Sequence, residues 1–236
     1  MSDWAAKRFW KTTAAVECDG GYAIELDGRP VKTPAKVALV VPTADMAAAV
    51  ASEWDAQVDL IDPTTMPVTR GANAAIDKVS VQKAEVVEML AAYGDSDLLC
   101  YRAAGPAELI ARQADHWDPL LQWAKGRFDA DLKSAEGVMH VPQDGGALTR
   151  LKAELDAMTH FQIAAAHDLI SLSGSLVIAL AVIDGHLSEE DGWAVSRVDE
   201  EWQFEQWGDD DDARALESVK RQAFFDAANF YKMART

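Results

Sequence analysis

Hydrophobic and polar positions along the chain follow two different periods, and the change falls near residue 42. Before it the pattern is that of strands. Phe9-Trp10-Lys11-Thr12 through Val16 is rich in aromatic and β-branched residues, and Asp19-Gly20-Gly21 is a turn able to supply positive φ. Tyr22 to Leu26 alternates apolar with small or polar side chains. Asp27-Gly28 is a strong hairpin signal, followed by Arg29 to Pro34 and by Val37 to Val41. Pro30 and Pro34 cannot donate to a ladder, which predicts an edge strand or an extended crossing there.

After Pro42-Thr43 the period becomes helical. Met46, Val50, Trp54, Val58 and Ile61 form one stripe, which predicts a single helix capped near Thr43. Pro63 and Pro67 end it and leave Asp62 to Pro67 as an extended linker. Ile76, Val79, Val86 and Leu90 mark a second helix, with Gly94 as its C-cap. Asp95 to Tyr101 is a short apolar run of ambiguous type. Leu109, Gln113, Trp117, Leu120 and Ala124 mark a third helix, interrupted or bent at Asp118-Pro119. Residues 126–142 read as irregular, with a short strand through Val138 and Val141.

Four further helices are expected: Leu148 to Met158, Phe161 to Ile183, Glu189 to Trp207 and Ala213 to Met233. Leu169 to Ile183 is apolar on nearly every side, the mark of a helix surrounded by others, with Ser173-Gly174-Ser175 inside it allowing close approach. Ser188 and Asp191 resemble a capping box. The expected fold class is α+β: a small N-terminal β-rich domain, residues 1–68, followed by a larger C-terminal α-helical domain, residues 69–236.

Composition narrows the function. The chain has 236 residues, 49% of them hydrophobic, enough to bury a core, and a formal charge of −17. That charge excludes a phosphate-backbone binder and disfavours an anionic membrane surface, so neither nucleic acid nor membrane insertion is expected. The longest apolar run, Leu176 to Ile183, is far short of the roughly 20 residues that span a bilayer. Cys18 and Cys100 match no ligand spacing and read as buried free thiols of a reducing compartment. Met1-Ser2-Asp3-Trp4 has no leader character. Together these predict a cytoplasmic protein.

No catalytic, cofactor or metal residues are expected. His160 and His167, seven apart, lack a third ligand at metal spacing. Ser173-Gly174-Ser175 lacks the ending of a phosphate loop. Asp209 to Asp212 cannot converge on one cation and suits a solvated helix start. The distinctive feature is the helix predicted over Glu189–Trp207. Thirteen carboxylates lie between Asp184 and Glu217, against only Arg197 and Arg214. On one continuous helix Ala194, Val195, Val198 and Trp202 make one apolar stripe, and Trp193, Phe204 and Trp207 a second. Either both stripes are core, or one packs inward while the other, beside Asp199, Glu200 and Glu205, faces a protein partner.

Six motifs in order along the chain resemble a known family: Arg8-Phe9-Trp10-Lys11; Asp27 to Pro34; Glu53-Trp54-Asp55-Ala56-Gln57; Tyr93 to Arg102; Trp117 to Leu121; and Asp199-Glu200-Glu201-Trp202-Gln203 through Trp207-Gly208. They resemble the chaperones that assist assembly of the ATP synthase F1 sector by binding its free alpha subunit. The resemblance implies a bacterial member with no catalysis, nucleotide or cofactor, which acts as a monomer when free. It also implies that the chaperone shields the alpha subunit until the beta subunit replaces it. Its acidic cluster matches Asp199, Glu200 and Glu201, which of the three carries the role being open. With the helix reading this makes Asp199, Glu200, Glu201, Phe204, Glu205 and Trp207 the candidate partner-binding residues. The alternatives are a small-molecule enzyme of unrecognised class, an acidic nucleic-acid mimic, and a structural subunit that stays in a finished complex.

Overall fold

The computed structural model describes residues 7–208 and 210–235. The leader reading at Met1–Trp4 and the first residue of the Asp209–Asp212 run lie outside the described residues. The fold is α+β, and the described residues group into two units. Unit 1 holds residues up to 83 together with 159–165 and those from 229 on; unit 2 holds 84–158 and 166–228.

Unit 1 is built on an antiparallel sheet. Strands β1 (Thr13–Cys18) and β2 (Gly21–Leu26) pair from Thr13↔Leu26 to Cys18↔Gly21. Short strands β3 (Arg29–Pro30) and β4 (Val40–Val41) pair with opposite ends of β2. The β2–β3 turn has positive φ at both Asp27 (50°) and Gly28 (74°), the primed geometry that matches strand twist. Pro30 lies on the edge strand, as its missing N–H requires. The first strand runs later than the aromatic pattern suggested, because Trp10 turns into the core and packs edge-on against Trp54 at 5.2 Å. Cys18 is exposed, against expectation: it ends β1 beside the turn, whereas Cys100 is buried and its thiol is pushed up to about 12 by that burial.

Helix α1 (Ala44–Asp55) is capped by Thr43, whose hydroxyl accepts the Met46 N–H at 3.2 Å. It stops six residues before Ile61, and Val58 is exposed. The region read as an extended linker is structured instead. Pro63 opens a 3-10 turn (Pro63–Thr65) capped by Asp62, and Pro67 opens helix α2 (Pro67–Ala74). Proline suits a first helical turn because the N–H it lacks would be unpaired there anyway. The Glu53 carboxylate takes over the cap of α2, accepting the N–H groups of Val68 and Thr69 at 2.7 Å each. Ile24, Leu26, Leu39, Val41, Met46 and Val50 form the core with Ala72 and Ala75, and Phe161 and Phe230 complete it. A π turn (Ala75–Val79) leads to α3 (Lys83–Ala91).

In unit 2, Gly94 is not a C-cap. It is buried in a 3-10 turn (Ala92–Ser96), where an added Cβ would lie 3.1 Å from Leu148 Cδ2. A second such turn (Leu98–Cys100) leads into β5 (Tyr101–Arg102), which pairs in parallel with β6 (Ala135–Glu136). The strand expected through Val138 and Val141 thus lies just before them. Helix α4 (Ala107–Phe128) runs through Pro119 unbroken. Pro119 and Asp115 are both exposed, so the carbonyl that loses its partner is open to water.

Helices α5 (Gly145–Asp156), α6 (His160–Ser173) and α7 (Leu176–Asp184) follow. Every residue from Leu176 to Val182 is buried, which bears out the surrounded helix. The single helix expected over Phe161–Ile183 is two, however. Gly174, at φ 72°, ends α6, and Ser175 caps α7 by accepting the Ile178 N–H at 3.0 Å. Asp97, fully buried, reinforces this start: its carboxylate accepts the N–H groups of Val177 at 3.0 Å and Leu99 at 3.1 Å. Burial pushes its pKa up to about 6. Ser188 caps α8 (Glu189–Ser196) as expected, and α9 (Val198–Trp207) and α10 (Asp211–Met233) close the chain. Among the described residues no helix is long and apolar enough to cross a membrane.

Candidate partner-binding site

The helix predicted over Glu189–Trp207 breaks at Arg197, whose φ of −112° and ψ of 13° leave the helical region. Two stripes drawn on one continuous cylinder therefore lose their phase. Trp193 and Val198 are buried, Ala194 is exposed, and Trp202 and Phe204 are half-buried. Trp207 is 80% exposed, an unusual state for so large an apolar side chain.

Four carboxylates project from α9. Glu205 takes a two-pronged contact from Arg112 of α4, at 2.8 and 2.7 Å, which holds its pKa below the usual carboxylate range. The same guanidinium lies over the Trp202 ring at 5.1 Å. Glu200 pairs with Arg197 at 2.8 Å, and Glu201 with Arg214 of α10 at 2.6 Å. Arg214 also sits over Phe204 at 3.9 Å and reaches Glu217 at 3.1 Å. Asp199 differs from the other three. Its partner is neutral: the buried Gln113 of α4 donates Nε2–H to Asp199 Oδ1 at 2.6 Å.

Beside this face lies a groove of ≈ 600 Å³. One wall comes from α9 through Asp199, Trp202, Gln203, Gln206 and Trp207; the other comes from Tyr101 to Pro106, with Leu109 and Gln113 of α4 and Gly137-Val138. The β5–β6 pairing brings that last loop up, and Val138 is 91% exposed at the rim. The structure thus gathers two of the six candidate residues, Asp199 and Trp207, at the groove. Glu200, Glu201, Phe204 and Glu205 lie outside it, with arginines against them. The sequence places Tyr101 and Arg102 in a family motif and Val138 in a short strand, but it does not bring them to this site, because a parallel pair of two-residue strands leaves no periodic signal. Gln113 was visible as an amide inside an apolar stripe, but its partner was not.

Among the described residues no group of three or more His, Cys, Asp or Glu side chains is placed to hold a metal ion. His167 pairs with its neighbour Asp168 at 2.8 Å, which raises its pKa, and His160 packs against Phe161.

The sequence model of the family described as ATP12 chaperone protein matches residues 7–125 of this chain. The chain belongs to the ATP12 chaperone family. The chain is similar to the mitochondrial protein atp12 of Schizosaccharomyces pombe, 27% identical over 225 residues that cover 90% of this chain and 77% of that protein. The crystal structure of Atp12 from Paracoccus denitrificans superposes with a TM-score of 0.95 at 44% identity, covering 98% of this chain and 99% of that one. A crystal structure from Agrobacterium tumefaciens superposes at 0.93 with 40% identity, covering 97% of this chain and 86% of that one. Members of the ATP12 family are chaperones of F1 ATP synthase assembly, not enzymes.

Several motifs behind the resemblance hold turns and caps in this ATP12 fold. Arg8 donates to the carbonyls of Asp55, at 2.6 Å, and Gln57. Glu53 caps α2, Asp27 binds the N–H groups of Lys11 and Thr12, and Asp97 fixes the start of α7. The last motif is the one that also reaches an open surface.

Proposed function

We propose that this chaperone binds the unassembled alpha subunit of the ATP synthase in the cytoplasm, as a free monomer, and shields it until the beta subunit takes its place. An unassembled subunit exposes apolar surface that would otherwise aggregate. The observation that carries the reading is Trp207, 80% exposed on α9 at the mouth of the groove in a member of an F1 assembly family. Asp199 and Trp207 make the direct contact, while Glu200, Glu201, Phe204 and Glu205 present α9 in its bound position and ring the contact with charge. The chain's net charge of −17 keeps such an apolar patch soluble and favours encounter with surfaces of opposite charge.

The test is co-purification. Tagged chaperone mixed with isolated alpha subunit should give a soluble complex, and mixed with assembled F1 it should not. Stoichiometric retention of intact F1, or none of free alpha subunit, would refute the reading.

A further inference from the structure

The charges around the groove do not balance. Of the four carboxylates on α9, three meet an arginine: Glu200 meets Arg197, Glu201 meets Arg214 and Glu205 meets Arg112. Asp199 has the Gln113 amide and, among the described residues, no cation pairs with it. The cationic residue in the groove wall, Arg102, is already committed, with Asp118 at 2.7 Å and the Leu99 carbonyl at 2.8 Å. The groove therefore presents one carboxylate whose counter-ion is missing, although every comparable carboxylate on the same helix has one.

The walls beside that carboxylate are aromatic. Trp202, three residues on, and Trp207, eight residues on, line the same groove. Trp202 already stacks on one cation, Arg112, and Trp207 is largely bare. Indole faces attract cations, and the attraction grows where water is partly excluded. Gln203 and Gln206 add side-chain amides, each with both a donor and an acceptor, suited to a main chain lying along the groove. Its volume is that of a site for a side chain with a short stretch of backbone, not for a folded surface.

We propose that this groove receives an arginine side chain from an extended segment of the client, with Asp199 as the missing counter-charge and Trp202 and Trp207 as flanking faces. Arginine is favoured over lysine because a planar guanidinium can stack on indole and fork onto a carboxylate together. The identity of the client as the alpha subunit rests on the function proposed above; the arginine site rests on the groove.

The experiment uses 15-residue peptides tiled along the alpha subunit, probed with the full chaperone. Each bound peptide is remade with citrulline, a neutral isostere, in place of arginine. The peptides held by the wild type should contain arginine, and citrulline should weaken them by about tenfold, the scale of one charge-assisted contact. Asp199→Asn keeps an acceptor for Gln113 and so keeps the fold; in it the arginine-to-citrulline ratio should fall to near one. Asp115→Asn, on the exposed side of α4, should leave the ratio unchanged. Peptides held equally well with citrulline, or a ratio that survives Asp199→Asn, overturn the proposal. So does an array that holds no peptide, since a groove for an extended segment needs no folded client. Intact alpha subunit is run in parallel. Its retention by the wild type alongside a failed array overturns the arginine site and leaves the holding function standing, whereas its loss from the wild type removes the holding function itself.

Discussion

Gln113 and Asp199 are joined by a single contact of 2.6 Å, and the same amide accepts the N–H of Ala103 at 2.8 Å through its Oε1. One buried side chain therefore ties α4 to α9 on one side and to the 101–106 wall of the groove on the other. An apolar residue at this place in the helix stripe would fill the volume but leave a backbone N–H and a carboxylate without their partner.

Gln113→Leu should accordingly lower stability by about 1–3 kcal/mol, the cost of leaving buried polar groups unpaired. Chemical denaturation checks it. Amide exchange should rise at Ala103 and along α9 more than in unit 1, and a uniform rise would show that the amide has no local tie.

Arg214 gathers Glu201, Glu217 and Phe204, so Glu201→Lys sets two cations against each other at the α9–α10 contact. The expected outcome is faster amide exchange over 198–207. Trp207→Ala is the opposite case. Its ring is mostly in water, so thermal unfolding should change by no more than about 0.5 kcal/mol, while retention of alpha subunit falls.

Asp97 makes stability depend on pH. Its carboxyl has a pKa of about 6 when folded, above the ordinary 3.8, so the folded state holds its proton more tightly than the unfolded state does. The favourable contribution is complete below about pH 4 and is lost as pH rises through 6. A shift of that size corresponds to about 3 kcal/mol in full. Asp97→Asn should flatten the denaturation midpoint between pH 4 and 6.5 relative to the wild type. Parallel slopes in the two proteins would show that Asp97 is already ionised throughout.

Phe230, near the end of α10, is 4% exposed in the core of unit 1, and an added Cβ on Gly71 would lie 2.7 Å from its ring. Phe230→Ala should cost about 3–5 kcal/mol through the cavity it leaves. Gly71→Ala should destabilise from the other side by overpacking. Chemical denaturation followed by circular dichroism gives the readout.

What short-range physics encodes was legible along the chain. Asp27-Gly28 demanded a primed turn, Thr43 and Ser188 supplied caps, and the unbroken apolar run from Leu176 to Val182 had to be surrounded. The acidic, aromatic character of residues 198–207 singled out this helix, while leaving open whether both of its apolar stripes were core or one faced a partner. The remaining features depend on how the folded chain turns and packs. Gly174 and Arg197 break helices that periodicity joins, because a backbone rotation at one residue leaves the pattern of neighbours intact while turning every later side chain. Pro63 and Pro67 begin helical turns instead of ending order, since Asp62 and the distant Glu53 supply acceptors for the N–H groups that follow. Four carboxylates on α9 look alike in the sequence. Three of them meet arginines, two of these on other helices, and partners brought in by helix packing have no local signature; Asp199 is singled out by the partner it lacks.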